Sequence, residues 1–295
     1  MVILITGSST GIGYAIAEKL ARNGHTVYAT MRNPDKSSSI QKLMKEKNLN
    51  LHVLQLDVLN DESVNKAVET VLSKEGHIDV LVNNAGIHSW GAVEELPIKL
   101  FQDNMDTNYF GVVRCIKAVL PSMRKNKSGS IINISSIAGK LYSNFHGAYA
   151  ASKAALEAFS EALAQEVAPY NIKIFLVEPG ITQTPIFEKT NKISAATNYP
   201  NIKRFVSMFA ASLENPISTD HAAEVVNEIV SGKRNTMRNS AGADAEGFLA
   251  FRASLKDEDW VSSVMVDDET WITQWEQMGM GVRKFMEADG LPVFE

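Results

Sequence analysis

Apolar residues along this chain fall into two rhythms. Nearly unbroken apolar runs at Val2–Thr6, Thr26–Thr30, Leu51–Leu56, Val80–Val82, Ser130–Ile134 and Lys173–Val177 lack the alternation of a strand with one wet face. They predict strands buried on both sides. Between them apolar positions recur every three or four residues, the spacing that lines one face of a helix. The first such stretch, Ile12–Arg22, sets Ala15, Ile16 and Leu20 beside Ile12 and stops at Asn23–Gly24, a good helix terminator. Further helices are predicted at Ser38–Lys47, Asp61–Lys74, Pro97–Lys125, Gly147–Pro169 and Thr219–Ser231. Strand and helix alternate through residue 177. That order predicts an α/β fold with a doubly wound, Rossmann-like parallel sheet covered by helices on both faces.

Past Pro179–Gly180 the rhythm loosens. Residues 184–216 are rich in Asn, Ser, Thr and Pro, yet carry Ile186, Phe187, Phe205, Met208 and Phe209. This reads as a mobile, partly helical insertion whose apolar set can form a lid over a bulky substrate. A helix is predicted at Ala245–Leu255, followed by an acidic run and by Trp260, Trp271 and Trp275. The expected organisation is one domain: residues 1–240 as the α/β body that includes the 184–216 insertion, and 241–295 as a C-terminal helical extension packed on it. The tryptophans fit a pocket wall, a subunit contact or an anchor for a terminal helix.

Charge and cysteine content narrow the function classes. A formal net charge of −5 argues against a nucleic-acid partner, which would need a basic surface. The one cysteine, Cys115, cannot form an internal disulfide, and no Cys/His cluster has metal-ligand spacing, so no metal is expected and a reducing compartment fits. The apolar start Val2–Ile5 is too short for a signal peptide, and no stretch approaches the roughly 20 apolar residues of a membrane span. A cytoplasmic protein acting on a small molecule is the expectation.

Candidate chemistry begins at Thr6-Gly7-Ser8-Ser9-Thr10-Gly11-Ile12-Gly13, between the first strand and the first helix. Small residues there let a dinucleotide pyrophosphate approach the backbone amides at a helix N-terminus. About 20 residues past such glycines an acidic side chain selects the ribose 2′-hydroxyl of NAD, and an arginine instead accommodates a 2′-phosphate. Here Met31 stands at the acidic place and Arg32 follows. NADP(H) is favoured, with NAD(H) as the alternative.

Tyr149 and Lys153 are four apart in a helix-forming segment, on one face and within reach of each other. A tyrosine with its ordinary pKa near 10 is poorly matched to proton transfer at neutral pH, and a neighbouring cation would lower it. Asn83-Asn84-Ala85-Gly86 follows the fourth strand, Asn133-Ile134-Ser135-Ser136 the fifth and Pro179-Gly180 the sixth, at the strand ends where open α/β sheets bind ligands.

These motifs, in this order over residues 2–231, resemble the short-chain dehydrogenase/reductase family, whose glycine loop reads T-G-x-x-x-G-x-G as here. The resemblance implies an oxidoreductase that interconverts an alcohol and a carbonyl by hydride transfer. Tyr149 would be the general acid and base, with Lys153 binding the nicotinamide ribose. Ser136, thirteen residues before Tyr149, would polarise the substrate oxygen, and Asn108 would support a water chain from Lys153. On the cofactor side it implicates Gly7, Ser9, Thr10, Gly11, Ile12 and Gly13 on the pyrophosphate and Asp57 with Val58 at the adenine. Asn83, Ala85 and Gly86 would touch the ribose side or brace the central strand, and Pro179, Gly180, Ile181 and Thr184 would hold the carboxamide. Tyr28–Asn33 and the long segment after Gly180 look like the hydroxysteroid and retinol dehydrogenase branch, hence an apolar substrate and a homo-oligomer joined through the helices near 97–125 and 147–169. His146 reads as a solvated loop histidine outside the catalytic set. The rival reading is a non-catalytic NADP(H)-binding redox sensor or interaction protein, against which the intact Ser136, Tyr149 and Lys153 argue.

Overall fold

The computed structural model describes residues 1–36, 38–46, 49–188, 190–191 and 197–292. Lys47 of the second predicted helix, residues 189 and 192–196 of the insertion, and residues 293–295 of the extension lie outside the described residues.

Seven parallel strands form one sheet: β1 (Val2–Ile5), β2 (Thr26–Met31), β3 (Leu51–Gln55), β4 (Val80–Asn83), β5 (Gly129–Ile134), β6 (Ile172–Pro179) and β7 (Arg238–Ala241). Their spatial order is β3-β2-β1-β4-β5-β6-β7. Successive residues of β1 serve opposite faces. Ile3 and Ile5 pack with α1 (Gly11–Arg22), whereas Val2 and Leu4 join the opposite core with Val64, Ile116 and Leu156. Burial of both faces is why these strands read as continuous apolar runs. Because the chain winds outward in both directions from the β1/β4 pair, the loops after β1 and β4 diverge and leave a crevice at their C-terminal ends.

The strand β7 is the one that the apolar pattern misses. It reads Arg-Asn-Ser-Ala and is held at the sheet edge by its ladder to β6 and by the Asn239 amide, which bonds the Thr236 carbonyl at 2.9 Å and the Leu176 carbonyl at 3.3 Å. Pairing and side-chain amide bonds replace apolar burial there.

In chain order the helices after α1 are α2 (Ser38–Met44), α3 (Asp61–Glu75), α4 (Ile98–Met105), α5 (Gly111–Asn126), α6 (Gly147–Val167), α7 (Ile202–Glu214) and α8 (Thr219–Val230). The long helix expected over 97–125 is therefore two helices, joined by a π-helical turn at Asp106–Phe110. The extension adds α9 (Ala243–Ser254), α10 (Asp257–Ser262), α11 (Asp268–Gln277) and α12 (Arg283–Glu287). It docks on α7: Trp271, Ile272 and Val282 pack against Met208 and Ala211, and the buried Arg204 bonds Asp268 at 2.6 Å and the Val266 carbonyl at 2.8 Å. No helix among the described residues is long and apolar enough to cross a membrane.

Candidate active site

A cavity of about 680 Å³ runs along the C-terminal ends of the strands. At one end lie Gly7, Ser9, Thr10, Gly11 and Ile12, with Arg32 after β2, Asp57 and Val58 after β3, and Ala85 and Gly86 after β4. Ser136, Tyr149 and Lys153 line its middle with Pro179, Gly180, Ile181 and Thr184. The far end is apolar, built by Ile186, Phe187, Phe205, Met208 and Phe209 and closed by Trp260, Trp271 and Trp275 of the extension.

Three residues singled out from the sequence stand behind this lining. Gly13 lies against the glycine loop itself, where a Cβ would fall 2.4 Å from the Gly7 carbonyl oxygen. Asn83 is buried beneath the sheet ends, its amide donating to Asn133 at 2.8 Å. Asn108 sits in the π-helical turn, where its oxygen accepts from the Ile87 amide at 2.9 Å while its nitrogen donates to the Ile87 carbonyl and to Ser152, each at 2.9 Å. The turn thus aims one amide at the strand β4 loop and at α6 together.

The glycine end fits a dinucleotide. Gly7 and Gly11 adopt positive φ of 70° and 61°, and a Cβ on Gly7 would stand 2.7 Å from the Ala85 Cα. The α1 N-terminus has no side-chain cap at Thr10 and no acidic residue in its first turn, so its amides are open to an anion. Asn84 clamps the loop: its side-chain nitrogen donates to the Thr6 and Gly7 carbonyls at 3.0 Å each. Asp57 keeps one oxygen on the Leu59 amide at 3.1 Å. Arg32 is exposed at the rim, and among the described residues its guanidinium makes no ion pair.

At the middle, Lys153 Nζ donates to the Ile134 carbonyl at 2.8 Å and lies 5.7 Å from the Tyr149 ring centroid. Burial brings the lysine down to about 8, with Glu157 opposing the shift. Tyr149 moves the other way from the sequence expectation. Burial pushes it up to about 12, and a hydrogen bond with Ser136 offsets only part of that. At neutral pH the phenol therefore holds its proton, the form a proton donor needs.

Two further features were hidden in the sequence. Asp244, at the start of α9, accepts the Ile181 amide at 2.8 Å and packs so close to Gly180 that a Cβ there would meet its carboxylate at 2.1 Å. His146 is not solvated: it is buried, stacked on the Tyr149 ring at 5.0 Å, and its Nε2 lies 2.6 Å from Nε2 of His88. His88 follows directly on the Asn-Asn-Ala-Gly-Ile run, but no spacing ties it to a residue 58 positions on.

Both imidazoles are held neutral. Burial lowers His146 from 6.5 to about 4, and burial together with His146 and Lys153 lowers His88 well below its ordinary value. Among the described residues, Tyr149 and Lys153 are the titratable groups facing the pair, and its other walls are Trp90, Phe187, Phe205 and Phe209. The unfolded chain takes up protons at these positions below pH 6.5 while the folded chain does not, so their contribution is intact above 6.5 and lost as pH falls toward 4. Urea unfolding should show His146 alone removing on the order of 2 kcal/mol between pH 7 and pH 5. His146→Phe should flatten that part of the profile, and an unchanged slope would contradict the assignment.

A family model described as short chain dehydrogenase matches residues 1–195. The chain is 46% identical over 190 residues to 3-ketodihydrosphingosine reductase of Bacteroides thetaiotaomicron, covering 64% of this chain and 67% of that one. It is 35% identical over 265 residues to retinol dehydrogenase 8 of Bos taurus, covering 85% of this chain and 84% of that one. Among solved structures, a short-chain dehydrogenase from Streptomyces avermitilis superposes with a TM-score of 0.75 at 33% identity, over 94% of this chain and 97% of that one.

Proposed function

Since this chain belongs to the short-chain dehydrogenase family, and is thus an oxidoreductase that binds a nicotinamide cofactor, we propose that it interconverts an apolar carbonyl compound and its alcohol with NADP(H), Tyr149 moving the proton. The observation that carries this reading is the placement of Ser136, Tyr149 and Lys153 between a glycine cradle and an aromatic chamber in one cavity. The cofactor, when bound, supplies or accepts the hydride at the reacting carbon.

The chain's own residues do the rest. Ser136 and Tyr149, whose hydroxyls face the same part of the cavity, grip the substrate oxygen from two sides. In reduction Tyr149 gives its proton to that oxygen, and in oxidation it takes one back. Lys153, fixed on the Ile134 carbonyl, keeps a cation beneath the tyrosine and reaches the ribose. Asn108 is a positioning residue: it fixes the Ile87 backbone beside Gly86, where a Cβ would be 3.2 Å from its oxygen. Amides of Ser9 to Ile12 take the pyrophosphate, Arg32 the 2′-phosphate, Asp57 and Val58 the adenine, and Ala85 and Gly86 the ribose. Pro179, Gly180, Ile181 and Thr184 take the carboxamide side, while Gly13 and Asn83 support the cradle from behind.

The substrate is read as apolar because the far chamber is built from aromatic and aliphatic side chains. Two relatives, named for a ketodihydrosphingosine and for retinol, fit that reading, since both molecules are largely hydrocarbon. Functionally we divide the chain into a cofactor and catalytic body, 1–240, and an extension, 241–295, that completes the chamber. The test is NADPH oxidation by the purified protein against long-chain, retinoid and steroid carbonyls, with short polar ketones as controls. Turnover confined to the apolar compounds is expected; tight NADPH binding with no turnover of any carbonyl would favour the sensor reading.

A further inference from the structure

The paired imidazoles beside Tyr149 form part of a directional chain. Thr190 spends its single hydroxyl proton on the Ile186 carbonyl at 2.9 Å, so toward His88 Nδ1, 3.0 Å away, it can only accept. His88 therefore carries its proton on Nδ1, and its Nε2 is an acceptor. His146, 2.6 Å from that nitrogen, must then donate from Nε2. The chain runs His146 to His88 to Thr190 to the Ile186 carbonyl, each donor matched to one acceptor.

Its two ends belong to different parts of the molecule. Thr190 lies in the loop after β6, which also carries Phe187 of the apolar chamber. His146 is the residue that precedes α6, three positions before Tyr149, and its ring stacks on the tyrosine at an interplanar angle of 24°. His88 meets the same ring edge-on at 4.7 Å. Asn191 also ties this loop to the segment after β4, bonding Trp90 through both of its amide ends, and the Trp90 ring in turn meets His88 edge-on at 5.0 Å. The histidine chain brings this loop to the Tyr149 ring through directed hydrogen bonds.

We propose that His88 and His146 are positioning residues that couple the loop after β6 to Tyr149, so that the loop packed around an apolar substrate also fixes the orientation of the phenol. This rests on the reading of Tyr149 as the proton-transfer group. A hydrophobic side chain at either histidine would fill the space but carry no direction. A glutamine at 146 can still donate an N–H toward His88.

The experiment compares His146→Leu, His146→Gln, Thr190→Val and the double variant His146→Leu/Thr190→Val, with Tyr149→Phe alongside. His146→Leu and Thr190→Val should each lower kcat about tenfold while NADPH affinity stays unchanged. The double variant should be no slower than the slower single, because both break one chain. His146→Gln should recover most of the rate. Hydrogen exchange of the NADPH complex should speed in residues 181–191 of the Leu and Val variants but not of the Gln variant, a readout independent of turnover. Equal rates and exchange for Leu and Gln, or multiplicative losses in the double variant, would overturn the coupling. Should His146→Leu not fold, Thr190→Val against wild type still decides it. If Tyr149→Phe matches wild type, the functional reading fails instead.

Discussion

Tyr149→Phe lowers carbonyl reduction by about 10²- to 10⁴-fold, the range for losing a positioned proton donor. The substitution keeps the ring, and with it the stacking on His146 at 5.0 Å and the edge contact with His88 at 4.7 Å. What goes is the hydroxyl that lines the cavity with Ser136. The loss should therefore fall on kcat at saturating NADPH, with cofactor affinity changed by no more than about threefold. Steady-state rates together with NADPH titration by fluorescence separate the two. The buried phenol stays protonated up to about 12, so the proton is in place throughout the neutral range. Turnover near that of wild type would remove Tyr149 from the chemistry.

Replacing Arg32 by alanine weakens NADPH binding by about 10- to 100-fold and leaves NADH unaffected, because a guanidinium pairs with phosphate through charged hydrogen bonds that a ribose hydroxyl cannot replace. The side chain stands exposed on the cavity rim with no ion pair among the described residues, so it has nothing to release before it meets a phosphate. Adding Met31→Asp should reverse the preference toward NADH, since a carboxylate at the end of β2 repels the 2′-phosphate and accepts from the 2′-hydroxyl. Met31 is only 3% exposed, so this second change also lowers stability by burying a charge. Affinities for both cofactors in the single and double variants check the argument. An NADPH preference that survives loss of Arg32 would place the discrimination elsewhere.

The extent to which this site can be read from the sequence follows the range of the interactions that build it. Apolar runs of two-faced burial mark six of the seven strands, and the glycine loop and the Tyr149/Lys153 spacing are local patterns that the fold preserves. The edge strand Arg238–Ala241 has no apolar run because its ladder and the Asn239 amide hold it. Phe187, Phe205 and Phe209 were legible as an apolar set, and they pack in one cluster. That Phe205 and Phe209 sit on a regular helix, Ile202–Glu214, was obscured by the polar residues preceding it.

What stayed hidden was long-range pairing. Asp244 reaches back 63 positions to the Ile181 amide, and Asn84 bridges 78 positions to the Thr6 carbonyl. The tryptophans of the extension gave no sign of which of three roles they play, and the structure sets Trp260, Trp271 and Trp275 in the cavity wall. The Tyr149 shift in the chain alone was hidden for a related reason: the sequence shows the neighbouring cation but not the depth of burial, which pushes the phenol up.

The proposed catalysis requires hydride to pass within this cavity to a carbon whose oxygen Tyr149 protonates. The most direct measurement is reduction of an apolar ketone with NADPH carrying deuterium at both C4 positions of the nicotinamide, followed by mass spectrometry of the alcohol, with Tyr149→Phe in parallel. One deuterium is expected on the carbinol carbon of the wild-type product, and almost no product from the variant. Product without the label, or labelled product formed equally fast by Tyr149→Phe, would contradict the proposed catalysis.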